Sequence, residues 1–98
     1  MHNLLFLSAG TGSRLRPYTL SVPKCFIKYK NNYLLQNQFA LLNRCRFSKI
    51  SIVYGKYHYL YKKLNINLIK NPKYKNTNMV YSLYCAKNEF KNNLIISY

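Results

Sequence analysis

The sequence predicts an α/β fold built on a doubly wound parallel sheet. Two short apolar runs, 3–8 and 93–97, are typical of strands buried on both faces. Between them, segments with helical spacing alternate with segments rich in β-branched residues, as in a sheet covered by helices. The 98 residues are enough for one small domain. Residues 1–98 are therefore expected to form a single unit, whose ligands bind where loops leave the carboxyl ends of the strands.

The first predicted strand, 3–8, is followed by a segment dense in Gly, Pro, Ser and Thr. Pro17 and Pro23 oppose a long helix there, so 9–24 is predicted to be a loop. A loop of this length inside a small domain is usually functional. The next residues, 25–29, are predicted to be a short strand or a turn.

Three helices and three strands are predicted in the rest of the chain. The helices are 33–45, 56–64 and 78–88, and the strands are 49–54, 67–70 and 93–97. The first helix is expected to turn an apolar stripe to the sheet, made of Leu34, Leu35, Gln38, Leu41, Leu42 and Cys45. The third is expected to begin at a capping Thr or Asn and to bury Met79, Ser82, Leu83 and Ala86.

The charge of the chain is strongly one-sided. Lys and Arg total 16 against one acid, Glu89, for a net charge of +15. Without Asp, the chain lacks the residues for paired-carboxylate hydrolysis, for a Ser-His-Asp triad and for carboxylate-bound Mg²⁺. The excess of cations fits nucleic acid or a phosphorylated substrate, a membrane surface, or codon bias. Codon bias explains the many lysines but not the missing acids.

The cysteines, histidines and apolar runs point to a cytoplasmic protein without a metal or a membrane partner. Cys25, Cys45 and Cys85 form no CxxC pair and are expected to be reduced, buried thiols. His2 and His58 have no cysteines at zinc-finger spacing. The run Leu4 to Leu7 is too short for a signal peptide, and no segment is long enough to span a membrane.

A glycine-rich segment follows the first strand and is the strongest candidate for a binding site. Glycine in the segment 9–14, AGTGSR, lets backbone N–H groups approach a phosphate, and Arg14, Arg16 and Lys24 add positive charge nearby. The spacing fits neither a P-loop nor a dinucleotide fingerprint, whose third glycine would fall at Leu15. An ordinary turn with solvated charges fits these residues equally well.

The wider segment SAGTGSRLRPYTLSVPK closely resembles the signature of the sugar-phosphate and choline-phosphate nucleotidyltransferases. Further segments resemble the same family, namely 33–35, 50–55, 71–74 and 76–83, so that the resemblance covers essentially the whole chain. It implies a Rossmann-like, three-layer sheet of the nucleotide-diphospho-sugar transferase type, incomplete in this chain. It also implies transfer of a nucleoside monophosphate from an NTP to choline phosphate or a sugar 1-phosphate, with release of pyrophosphate. Segments such as RPYT and TNMVYSL favour the choline-phosphate branch, and hence CTP.

The resemblance also assigns roles to residues. The nucleotide would be bound by the backbone around Ala9, Gly10, Thr11, Gly12 and Ser13. Arg14 would hold the triphosphate and the leaving pyrophosphate, and Lys24 would offset charge that develops on the reacting phosphates. Asn78 and Ser82 match positions near the base and the acceptor, although helix capping by Asn78 and packing by Ser82 explain them at least as well.

One departure from the family limits what this chain is expected to do. In the family, the strand matching 93–97 is followed by a Gly-Asp pair whose Asp binds Mg²⁺, whereas this sequence ends at Tyr98. We therefore expect an N-terminal portion that supports no Mg²⁺ site and has no transferase activity alone. A gene fragment, a decayed copy, a subunit that joins a C-terminal half and a homo-oligomer stay open. The alternative from another class is a basic nucleic-acid-binding module, favoured by the Tyr-Lys interleaving over 54–63.

Overall fold

The computed structural model describes residues 2–10, 22, 24–29, 31–42, 47–90 and 93–97. Its helices and strands in chain order are β1 (His2–Leu7), β2 (Lys28–Tyr29), β3 (Asn32–Tyr33), α1 (Leu34–Leu42), β4 (Phe47–Tyr54), α2 (His58–Tyr61), β5 (Asn67–Lys70), α3 (Met79–Cys85) and β6 (Leu94–Ser97). Short 3₁₀ helices span Lys24–Phe26, Lys62–Leu64 and Lys87–Glu89.

Four strands form the main sheet in the order β5, β4, β1, β6, and every pair is parallel. Strand β1 lies between β4 and β6, which explains why its sequence is a nearly continuous apolar run. Its register places Leu4 beside Ile50 and Ile95. The predicted doubly wound α/β fold is confirmed, with the first strand at the centre of the sheet.

Successive residues of β1 point to opposite faces of the sheet and so supply two apolar clusters. On one face Leu4 and Phe6 pack in a cluster with α1, α2 and the 3₁₀ helix Lys24–Phe26. On the other face Leu5 packs with Ala86, which follows α3. The sheet is therefore the middle of three layers.

Most predicted elements are present, but their ends differ. The predicted helix 56–64 is an α-helix only over His58–Tyr61, and it tightens to a 3₁₀ helix over Lys62–Leu64. The predicted helix 78–88 likewise changes to a 3₁₀ helix after Cys85. The 33–45 helix begins at Leu34 and is described to Leu42. Helix ends commonly tighten in this way, because the last carbonyl groups lack α-helical partners.

Two features differ from the prediction more clearly. The segment 25–29, predicted to be a short strand or a turn, contains the end of a 3₁₀ helix and strand β2. The pairing of β2 with β3 in a small hairpin was not predicted, and the hairpin turns at Asn31, whose left-handed φ of 70° suits asparagine. Met79 was expected in the core, yet it is 46% exposed. The cluster on that face of the sheet includes Leu83 and Ala86 but not Met79, so the first turn of α3 lies beyond the packed region. Ser82 and Ala86 are buried as expected.

Gly55 directly follows β4 at a point where no side chain fits. A Cβ at this position would overlap the ring of Tyr74. The glycine therefore lets the segment around Tyr74 lie against the end of the central strand. In the part of the chain that the structure describes, no helix is long and apolar enough to cross a membrane.

Candidate functional site

The glycine-rich segment begins at the carboxyl end of β1, the edge of the sheet where ligands bind in this class of fold. The Ser8 amide donates to the carbonyl of Val53 at 2.8 Å, which fixes the exit of the chain from the sheet. Ala9 is buried in the cluster with Val53 and Ala86. Gly10 is exposed, and no residue that the structure describes would lie within 4 Å of a Cβ placed on it. The backbone at Gly10 is thus exposed, with none of the described side chains against it.

The remaining predicted residues of this segment, Thr11, Gly12, Ser13 and Arg14, lie outside the described residues. Lys24 is the first residue of the 3₁₀ helix Lys24–Phe26, and its side chain is also outside what is described. Its neighbour Cys25 is buried, with its Sγ 3.2 Å from the Oγ of Ser8. The backbones next to Gly10 and Lys24 are therefore held together near the carboxyl end of β1.

A buried tyrosine joins these two points. The Oη of Tyr61 lies 2.6 Å from the Oγ of Ser8 and 3.6 Å from the Sγ of Cys25. Burial raises the pKa of Tyr61 far above its usual value, and Cys25 raises it further, whereas the hydrogen bond with Ser8 lowers it. The hydroxyl is therefore neutral and acts as a hydrogen-bonding group. Sequence reasoning missed this contact, since Tyr61 was one of several tyrosines in a predicted helix.

The two polar residues predicted on the third helix both have partners within the chain. Asn78 caps α3, where its side-chain oxygen accepts from the Val80 amide at 3.0 Å. Ser82 is buried, and its hydroxyl accepts from the Nδ2 of Asn71 at 3.1 Å. Capping and packing thus account for both side chains, and their nucleotide contacts stay predictions. Asn78 also borders a shallow, open depression lined by Asn76, Thr77, Asn78, Val80, Tyr81 and Tyr84.

Asn71 is a second residue that the sequence analysis did not single out for the site. It follows β5 and is buried, and its amide donates to the Tyr54 carbonyl at 2.8 Å. Its side chain accepts from the Lys73 amide at 2.9 Å and donates to the hydroxyls of Thr77 and Ser82. The available signal was the Asn-Pro pair that ends the strand, since such pairs favour tight turns.

The residues that the structure describes do not fit a magnesium site. Among the described residues, no three His, Cys, Asp or Glu side chains come together. Glu89, the one acidic side chain of the sequence, pairs with Lys49 at 3.0 Å and accepts from Asn67 at 3.3 Å. Asn67 begins β5, whereas Gly10 follows the carboxyl end of β1. Because the sheet is parallel, Glu89 lies toward the amino ends of the strands, whereas Gly10 lies at their carboxyl ends.

The tyrosines of the stretch 54–63 do not form an open stacking surface. Tyr54 and Tyr61 are buried and stack on each other with their ring centroids 5.2 Å apart. Tyr59, in contrast, is 61% exposed. Two tyrosines of the stretch that the nucleic-acid alternative relied on are therefore part of the core.

Comparison with known proteins identifies relatives of one kind. The family model described as a MobA-like NTP transferase domain matches residues 4–97. CTP:phosphoglutamine cytidylyltransferase of Campylobacter jejuni is 37% identical over 98% of this chain. Choline-phosphate cytidylyltransferase of Streptococcus pneumoniae is 34% identical over 94% of it. These matches confirm the resemblance that the glycine-rich signature indicated.

A solved structure of CTP:phosphocholine cytidylyltransferase from Streptococcus pneumoniae superposes with a TM-score of 0.80 and 32% sequence identity. The match covers 98% of this chain and 45% of that structure. Each of the two curated relatives is covered over 42% of its length. The chain thus spans less than half of the proteins that it matches.

Proposed function

The chain belongs to the MobA-like NTP transferase domain family, and on that premise we propose that residues 1–98 form the nucleotide-binding portion of a cytidylyltransferase. The reaction is transfer of a nucleoside monophosphate from an NTP to a phosphorylated small molecule. An acceptor phosphate oxygen attacks the α-phosphorus, and the bond to pyrophosphate breaks. The observation that carries the proposal is the exposed backbone at Gly10, at the carboxyl edge of the sheet, inside the family's signature segment.

CTP is the nucleotide that we propose. It is named in the CTP:phosphoglutamine and CTP:phosphocholine enzymes that this chain resembles. The acceptors in those names, phosphoglutamine and phosphocholine, share a phosphate group on a small molecule. We propose an acceptor of this class, with choline phosphate favoured and a sugar 1-phosphate as the alternative.

The roles of the site residues follow from their chemistry. Backbone N–H groups at Ala9 and Gly10, with Thr11, Gly12 and Ser13 after them, contact the nucleotide where no bulky side chain intervenes. Arg14 holds the triphosphate, and Lys24 offsets the charge that develops as the bond to pyrophosphate breaks. Asn78 and Ser82 contribute to the side of the site that faces the base and the acceptor.

We propose that groups outside this chain complete the site. Strand β6 lies at one edge of the sheet among the described strands, with Ile95 41% and Ile96 42% exposed. Ile95 pairs with Leu4 and Ile96 with Leu5, so apolar surface is open on both faces of this edge. A C-terminal half of the domain that covers this surface would also supply carboxylates to hold Mg²⁺, and the bound metal would offset negative charge on the phosphates. The alternative is that a second copy of this chain covers the surface at β6, in a homo-oligomer.

The proposal places the protein in a reducing compartment such as the cytoplasm. Of the cysteines that the structure describes, Cys25 is buried and Cys85 half-buried, and neither forms a disulfide.

The test is calorimetric titration of CTP, UTP, GTP, ATP and dTTP into the purified chain at moderate salt. We expect selective binding of CTP, which Lys24→Ala weakens about tenfold because a charge-assisted contact to phosphate is lost. Lys28→Ala is the matched control. Lys28 lies on the hairpin strand β2 with its Nζ over the Tyr33 ring at 5.5 Å, so its loss leaves CTP binding unchanged.

Three results would contradict the proposal. Equal, salt-sensitive binding of all five nucleotides would reduce the interaction to the net charge and favour the nucleic-acid alternative. Failure to bind any of the five nucleotides would contradict the proposal that this chain binds a nucleotide. Mg²⁺-dependent pyrophosphate release by the purified chain would show that the missing carboxylates are not required.

A further inference from the structure

We propose that Tyr61 is a positioning residue that clamps the two ends of the segment 9–24 and so sets the relative position of Gly10 and Lys24. The clamp consists of Tyr61, Ser8 and Cys25. Its effect on CTP rests on the proposed function, whereas the clamp itself rests on geometry alone.

The clamp joins positions that are distant in the sequence. Ser8 and Cys25 are 17 positions apart, yet their Oγ and Sγ atoms lie 3.2 Å from each other. The Tyr61 hydroxyl is 2.6 Å from the Ser8 Oγ, 3.4 Å from the Ser8 carbonyl oxygen and 3.6 Å from the Cys25 Sγ. One hydroxyl therefore contacts the residue before Ala9 and the residue after Lys24.

The ring that carries this hydroxyl is itself fixed. Tyr61 is fully buried, and its ring stacks on Tyr54 at the end of β4. The edge of the Phe26 ring packs against it, with the centroids 5.1 Å apart and the planes at 86°. Because Phe26 belongs to the same short helix as Lys24, Tyr61 holds that helix through both its ring and its hydroxyl.

Burial also explains why the contact is specific. A buried hydroxyl must have hydrogen-bond partners, and Ser8 and Cys25 are the ones that surround it. The raised pKa of Tyr61 keeps the hydroxyl protonated, so it retains a proton to donate. Loss of the hydroxyl would remove its contacts to Ser8 and Cys25 and leave the Ser8–Cys25 contact and the aromatic packing in place, so the supports of Gly10 and Lys24 would be joined less tightly.

The experiment compares Tyr61→Phe with Tyr59→Phe, a matched change two positions away on the same helix at an exposed ring. Three quantities are measured in each variant: the rate of Cys25 alkylation by iodoacetamide, amide hydrogen exchange in peptides that contain Gly10 or Cys25, and the Kd for CTP. Cys85 serves as the internal reference for alkylation. Exchange in the peptide that contains β4 reports whether the sheet is intact.

In Tyr61→Phe we expect Cys25 alkylation and exchange near Gly10 and Cys25 to rise several-fold, with a rise in the Kd for CTP of about fivefold. Tyr59→Phe and the β4 peptide should match the wild type. Ser8→Ala should produce effects in the same direction, because it removes the Ser8–Tyr61 contact and also the Ser8–Cys25 contact. The double variant Ser8→Ala/Tyr61→Phe should show less than the sum of the two single effects, because both single changes remove the Ser8–Tyr61 contact. Ser8→Ala also provides the test if Tyr61→Phe fails to fold.

If Cys25 alkylation and amide exchange in both Tyr61→Phe and Ser8→Ala proceed at the same rates as in the wild type, the proposed clamp is wrong. Increased exchange with an unchanged Kd for CTP would overturn the positioning role. If the wild-type chain binds no CTP while Tyr61→Phe still raises exchange and Cys25 alkylation, the proposed function fails and the clamp stands.

Discussion

At the scale of single residues, Tyr61 shows how burial changes the behaviour of a polar side chain. Its ring is part of the core, and its hydroxyl is satisfied by Ser8 and Cys25 rather than by water. Because the protein interior disfavours the tyrosinate, the folded chain holds this proton more tightly than the unfolded chain does. Folding and the ionisation of Tyr61 are therefore coupled.

This coupling predicts a loss of stability at alkaline pH. Below pH 10 Tyr61 is protonated in both states, so its contribution to stability is constant. Above pH 10 the unfolded chain loses the proton first, and the free energy of unfolding falls by about 1.4 kcal/mol per pH unit. The free energy of unfolding, measured by urea denaturation and plotted against pH, should therefore converge for the wild type and Tyr61→Phe between about pH 10 and pH 12. Tyr59→Phe controls for the titration of exposed tyrosines, and parallel curves would contradict the prediction.

At the scale of secondary structure, Asn71 connects β5 with the start of α3. The strand ends at Lys70, and Asn71 then satisfies the Tyr54 carbonyl, the Lys73 amide and the hydroxyls of Thr77 and Ser82. The turn and the third helix are thereby held against the end of β4. Without the Asn71 side chain, the buried Ser82 hydroxyl, the Thr77 hydroxyl and the Lys73 amide would each lose this partner, whereas the backbone hydrogen bond to the Tyr54 carbonyl would remain.

We expect Asn71→Ala to destabilise the fold by about 1–3 kcal/mol, because it removes the side-chain hydrogen bonds to Lys73 and Thr77 and the one to the buried Ser82 hydroxyl. Ser82→Ala should cost less, since the Asn71 side chain keeps Thr77 as an acceptor. Urea denaturation of both variants checks this order. Equal losses, or a larger loss in Ser82→Ala, would show that Asn71 is not the centre of the network.

At the scale of the whole molecule, repulsion between like charges opposes the compact state. The net charge is +15, and Glu89 is the one acidic side chain, already paired with Lys49. A binding site for a triphosphate benefits from this field, whereas the fold without a ligand does not. Stability should therefore depend on salt and on bound anions.

Thermal unfolding should shift upward between about 10 mM and about 1 M NaCl, over which the Debye length falls from about 30 Å to about 3 Å. Each kcal/mol of relieved repulsion raises the Tm by about 4–8 °C in a domain of this size, so we expect a rise of several degrees. KCl should give the same rise. A Tm that is unchanged or falls with salt would contradict a destabilising self-repulsion.

The alternation of the main strands and helices could be read from the sequence, because burial on both faces of β1 and helical spacing in 34–42 are visible in the residue pattern. The sequence also determined the family, through the contiguous signature after β1. In both cases the physical cause lies in residues that are neighbours in the sequence, so the local residue pattern indicates it.

Which distant residues meet is seen only in the folded structure. No local sequence pattern indicates the contacts of Ser8 with Cys25 and Tyr61, or the contact of Asn71 with Ser82. These contacts form only when the parallel strands bring the ends of separate segments together at the carboxyl ends of the strands. The folded structure likewise determines that Met79 is exposed while Ser82 is buried, because helical spacing fixes a face but not how far that face is covered. The contacts that hold the candidate site in place therefore depend on long-range packing and not on sequence spacing.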